Sequence, residues 1–93
     1  MDILAQIASR IIKEQELIIG PLAWNEARKV TGLLVSDPTG DITLQGDQKQ
    51  AIDNLVARYD RLFGRASHEV SREAVAGLLA DLAPTYIPMS LQS

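Results

Sequence analysis

Four arginines, Arg58, Arg61, Arg65 and Arg72, are the residues whose type and spacing come nearest to a binding chemistry. The first three follow one another at steps of three and four, which sets their guanidinium groups along one flank of a helix. A guanidinium fork makes bidentate contacts with phosphate and carboxylate oxygens, so such a row suits a phosphate group, an RNA backbone or an acidic surface on a partner. The plainer reading is a solvated flank balanced by Asp60, Glu69 and Glu73, because cations near a helix C-terminus are favourable in any case. The plainer reading is the expected one, with the four arginines kept as a candidate anion or partner patch.

Other chemistry finds less support. His68 has no carboxylate pair at metal-ligand spacing, and a zinc site needs three or four ligands, so it reads as a partly exposed residue beside Glu69. Glu14 with Glu16 and Glu69 with Glu73 are carboxylate pairs, but acid and base work needs a pocket that drives two pKa values apart, and a solvated face explains them. Glu69 and Arg72 form an ordinary surface pair. The six glycines are isolated and build no phosphate-cradling loop. With no cysteine there is no disulfide, no thiolate ligand and no thiol nucleophile. We therefore expect no catalytic residue, no metal and no cofactor.

The elements that position these residues follow from apolar periodicity. Ile3, Leu4, Ile7, Ala8, Ile11 and Ile12 recur at three and four, an amphipathic helix capped by Asp2 and running to about Leu17 or Ile18. Gly20-Pro21 is a corner. A second helix carries Leu22, Ala23, Ala27 and Val30 on one side, with Asn25, Glu26, Arg28 and Lys29 mostly on the other, and stops at Gly32. Trp24 in its first turn reads as a staple for that corner, or alternatively as an interface anchor.

A β-hairpin is expected at about 33–45, with Asp37-Pro38-Thr39-Gly40 forming a type I turn before the alternating Asp41-Ile42-Thr43-Leu44-Gln45. Asp47 and Gln50 resemble a capping box. The third helix carries Ile52, Leu55, Val56, Tyr59, Leu62 and Phe63 in one stripe and stops at Gly64. Ser67 is expected to cap a fourth, with Val70, Ala74, Val75, Leu78, Leu79 and Leu82 on one side and Pro84 beyond its end. The fold class is α+β, mostly α: two helical hairpins flank a central β-hairpin in one domain over 1–84, followed by an irregular tail over 85–93. Similar steps in the two halves, Ile18-Ile19-Gly20 and Leu62-Phe63-Gly64, raise an internal duplication.

Composition bounds the function. The 93 residues carry a net charge of −3, the wrong sign for a general binder of nucleic acid or anionic membranes. The first twenty residues hold Asp2, Arg10, Lys13, Glu14 and Glu16, so they form neither a signal core nor a membrane span, and a cytoplasmic location is expected. An isolated two-stranded hairpin is marginal in water and has two open edges, so pairing with its copy in a twofold homodimer is expected. The candidate interface is Trp24, Leu33, Val35, Ile42 and Leu44, with Tyr86 and Ile87 of the tail, which either straps across the helices or docks on another chain. The expected role is a non-enzymatic protein-interaction or regulatory domain. A nucleic-acid-associated regulator using Arg58, Arg61 and Arg65, and an accessory subunit of an enzyme complex, are the alternatives.

Overall fold

The first apolar period becomes α1, Ile3–Ile19, in a computed structural model that describes residues 3–36, 41–80, 82–83, 85 and 87–91. Ile7, Ala8, Ile11 and Ile12 are completely buried, because α1 is enclosed by most of the other elements. Those elements are α2 (Leu22–Ala27), the strand β2 (Asp41–Leu44) that pairs with β1 (Leu33–Ser36), α3 (Gln48–Phe63) and α4 (Arg65–Leu79). The protein is mostly helical with one two-stranded antiparallel hairpin at its centre.

Both helical corners turn on a glycine in the left-handed region, Gly20 at φ 70° and Gly64 at φ 86°, a conformation that costs other residues free energy. After the first corner, α2 is shorter than its apolar stripe predicts. Arg28 N–H bonds to Trp24 O, but Lys29 and Val30 bond back only three residues, to Glu26 O and Ala27 O. The β-branched pair Val30-Thr31 and then Gly32 disfavour further α-turns, and the tightened backbone delivers Val30 into the core. Trp24 is half-buried and packs against that core.

The hairpin pairs Leu33 with Leu44, Leu34 with Thr43, Val35 with Ile42 and Ser36 with Asp41. Leu33 and Ile42 are buried, Val35 and Leu44 pack beside them, and Leu34 faces outward. The expected turn residues 37–40 lie outside the described residues, as do Asp2, Pro84 and Tyr86. Gly32 enters the hairpin at φ 87°, where an added Cβ would come within 3.1 Å of Ala51 Cβ and 3.2 Å of Gln45 O.

Asp47 caps α3 by accepting from Gln50 N–H at 3.1 Å, while the Gln50 amide donates onward to Asn54. The α3 stripe buries Ile52, Leu55, Val56 and Tyr59, but Leu62 is 47% exposed near the helix end. The start of α4 corrects the sequence reading: Gly64, not Ser67, is the N-cap, and Ser67 is buried within the first turn. The face of α4 that meets the core is also rotated, with Ser67, Ser71 and Val75 buried and Val70 and Ala74 half-exposed. The reason lies on α1. Gln15 is buried at 1% exposure, and its amide donates to Ser67 O at 2.9 Å and to Ser71 Oγ at 3.2 Å. A buried amide without partners costs about 1–3 kcal/mol, so the small hydroxyl side of α4 turns inward and lets the two helices approach closely.

The C-terminal segment lies on α3. Ser90 N–H and Oγ both donate to Asp53 Oδ1, at 2.9 and 2.6 Å, and Lys49 Nζ donates to Thr85 O at 2.7 Å. A 3-10 turn, Met89–Leu91, seats Leu91 in the core beside buried Pro88 and the packed Ile87.

Two glycine substitutions separate backbone strain from helix propensity. Gly32→Ala should lower stability by about 1–3 kcal/mol, because the left-handed backbone and the tight approach to Ala51 both resist a side chain. Gly77→Ala should raise stability by about 0.5–1 kcal/mol, since Gly77 is exposed inside α4 with open space around it. Urea denaturation of the two variants measures both signs.

Candidate functional site

The arginine row divides between two depressions. Arg58 and Arg61 line a groove between α2 and α3 of about 290 Å³, together with Lys29, Thr31 and Asn54. Arg65 and Arg72 line a cleft of about 440 Å³ at the α3–α4 corner, with Asp60, His68 and Glu69.

Glu26 organises the groove. The sequence places it among the polar residues of α2, yet its side chain is buried against α3. Oε1 accepts from Arg58 Nε at 2.7 Å, and Oε2 accepts from Lys29 Nζ at 3.3 Å. The Arg58 hydrogen bond is the largest influence on the Glu26 carboxyl and holds it below the usual range; burial opposes this, and the Lys29 contact and the two positive charges add to it. One carboxylate thereby fixes two cations on one side of the groove. Asn54 is fixed too, accepting from Gln50 and donating to Thr31 O at 3.4 Å. Arg61 is exposed and makes no ion pair among the described residues.

Tyr59 lies behind this region, fully buried, with its hydroxyl donating to Ala23 O at 2.7 Å. Burial, and then the negative charge of Glu26, push its ionisation far up, so it acts as a neutral tether between α3 and α2. Its ring also meets Phe63 at a centroid distance of 6.4 Å.

His68 is partly exposed in the first turn of α4, as the sequence suggests, and it has a partner that the sequence does not reveal. Its Nδ1 lies 2.6 Å from Asp60 Oδ2, eight residues upstream across the Gly64 corner. This spacing exceeds the helical three or four, and the left-handed corner is what brings the two together. Arg72 is engaged by Glu69 at 3.2 Å, so the charges lining the cleft are largely matched in pairs. Asp60 Oδ1 and Ser67 Oγ are buried and have no hydrogen-bond partner among the described residues. Among the described residues no group of three or more His, Asp or Glu could hold a metal ion.

The candidate interface residues are dispersed. Leu33, Val35, Ile42 and Leu44 point toward the core, which leaves backbone edges of the hairpin, not these side chains, for another chain. Ile87 packs inward, and Tyr86 lies outside the described residues. The large exposed apolar side chains fall elsewhere, at Met89 (79%) on the C-terminal segment and, side by side on α1, at Leu17 (80%) and Ile18 (62%). These two line a groove of about 390 Å³ between α1 and α4 with Val70 and Ala74, flanked by Arg10, Glu14 and Glu73. Leu17 and Ile18 stand at the expected end of α1, beyond its apolar stripe, where α4 turns its hydroxyl side to α1 and leaves them uncovered. Among the described residues no helix is long and apolar enough to cross a membrane. No family model, no curated protein and no solved structure matches the chain.

The Glu26 pair makes a pH test available. A carboxyl held low in the folded state contributes stability that is present above its unfolded value and is lost as pH falls through the folded one. Stability should therefore decline as the pH drops below 4.5, and Glu26→Gln should be less stable at neutral pH with a shallower acid decline. Urea midpoints across that range, compared between the two proteins, give the answer; identical acid slopes would exclude the pair as a source.

Proposed function

We propose that this chain is a protein-interaction domain without chemistry of its own, working as a homodimer. The observation that carries the reading is the α1–α4 groove, where Leu17 and Ile18 stand in solvent beside Val70 and Ala74. Exposed apolar groups of this size gathered in one depression mark interaction surfaces more often than chance scatter does.

A second copy is the occupant that the charges favour. Arg10 and Glu14 on α1 and Glu73 on α4 give the rim both signs of charge, so a twofold pairing can set the cation of one protomer against carboxylates of its partner. Burying Leu17 and Ile18 in both copies supplies about 6–12 kcal/mol at 1.5–3 kcal/mol per side chain. Association itself costs about 4–15 kcal/mol, so the expected dimer is weak and concentration-dependent. The hairpin adds less, since four-residue strands with their side chains turned inward offer short backbone edges.

The nucleic-acid reading is less favoured. It needs Arg58, Arg61 and Arg65 on one surface, whereas Arg65 lines a different depression from the other two. Sedimentation equilibrium should show a weak monomer–dimer exchange that shifts toward dimer as concentration rises, and Leu17→Glu with Ile18→Glu should abolish it. A wild-type chain that stays monomeric at several hundred micromolar, or a dimer indifferent to both substitutions, removes this proposal.

A further inference from the structure

We infer that the α2–α3 groove is a binding site for a phosphate monoester, in which Lys29, Arg58 and Arg61 hold the phosphoryl oxygens. The inference goes beyond self-association and does not rest on it.

Three features of the groove support this assignment. The first is charge. Lys29, Arg58 and Arg61 line one small depression, and among the described residues no carboxylate lines it, in a protein whose net charge is −3. At the α3–α4 cleft, by contrast, Asp60 and Glu69 stand in the lining and engage His68 and Arg72. Concentrated positive charge without a lining counter-ion is an environment that an anion completes.

The second is preorganisation. The carboxylate that does balance Arg58 and Lys29 sits behind them, buried, and contacts Arg58 only through Nε. A guanidinium has five N–H donors, so the Nη groups of Arg58 are left for a ligand while the side chain is held in place. Arg61, three residues along α3, is exposed and makes no ion pair among the described residues, so it can close on the same anion. Thr31 adds a hydroxyl at the rim, and Asn54 is locked beside it by Gln50.

The third is size and the absence of stacking. The groove is about 290 Å³, enough for a phosphoryl group and its first attached atoms. Val30 and Ala57 also line it, and among the described residues no aromatic ring is in its lining. Proteins that hold single-stranded nucleic acid stack bases on aromatic side chains, so this groove suits an isolated phosphoryl group better than a polynucleotide. A monoester, with two negative charges above its second ionisation near pH 6, matches three cations better than a singly charged diester does.

Titration of the isotope-labelled chain, followed by backbone and arginine Nε resonances, tests the site with inorganic phosphate, a phosphoserine peptide, the same peptide unphosphorylated, and an oligothymidylate. Phosphate and the phosphopeptide should shift Thr31, Asn54, Arg58 and Arg61, whereas sodium chloride at matched ionic strength should not. Arg61→Gln and Lys29→Gln are exposed changes that spare the Glu26–Arg58 pair, and each should weaken binding about tenfold, the value of one charge-assisted contact. A phosphopeptide that binds more tightly than inorganic phosphate assigns the ester to a protein partner; equal binding assigns it to a small molecule. Shifts that are absent, reproduced by chloride or unaffected by both substitutions overturn the site. Tighter binding of the oligothymidylate than of the phosphopeptide overturns the monoester in favour of a polyanion.

Discussion

A single helix that must be covered on several sides governs how this small protein is built. α1 meets α2, α3, α4 and β2, and its central isoleucines have no exposed surface. A domain of this length can enclose one such helix and little more. Each neighbour is therefore shaped by the side of α1 it covers. β2 brings Ile42 to it, α2 contributes Ala23 and Ala27 from six residues, and α4 presents serines where a leucine-rich face would be expected.

Polar groups buried in that enclosure determine which elements pair. Gln15 reaches Ser67 and Ser71 over more than fifty residues of sequence, Tyr59 reaches Ala23, and Glu26 reaches Arg58. Apolar contact alone tolerates rotation of a helix about its axis. A buried amide or carboxylate does not, because a slipped helix strands it without a partner at a cost of about 1–3 kcal/mol or more. The rotation of α4 is the visible result: satisfying Gln15 leaves Val70 and Ala74 only partly buried, with Ala74 packed at the edge of the core, and leaves Leu17 and Ile18 uncovered. The apolar groove and the buried amide are two consequences of one packing choice.

This also explains where the sequence was legible. Periods of three and four located α1 and α3, alternation located the hairpin, and the Asp47–Gln50 step located a cap, because each depends on residues within one element. The glycine corners were legible for the same reason. The end of α2, the inward face of α4 and the His68–Asp60 contact were not, since each is decided by a partner in another element or across a corner. Glu26 shows the limit most clearly: on α2 alone it belongs to the polar side, and only the approach of α3 with Arg58 makes its burial tolerable. The arginine row shows the converse. A spacing of three and four implies one flank, but the corner at Gly64 interrupts the helix between Arg61 and Arg65 and sends the two into different depressions.

Charge is distributed by the same logic. An acidic chain does not present an acidic surface everywhere, because a carboxylate drawn inward to satisfy packing carries its counter-ions with it and fixes them at the boundary. Glu26 is buried and Lys29 and Arg58 are not fully so, with side-chain exposures of 9%, 58% and 25%. The negative charge is thus withdrawn from solvent while part of the positive charge remains there. At the α3–α4 corner the carboxylates are less deeply withdrawn, with Asp60 31% and Glu69 52% exposed beside their partners His68 and Arg72, and the field there is locally cancelled. Two depressions with similar cations consequently differ in what they can attract, and the difference comes from the depth of the carboxylate and not from the number of arginines.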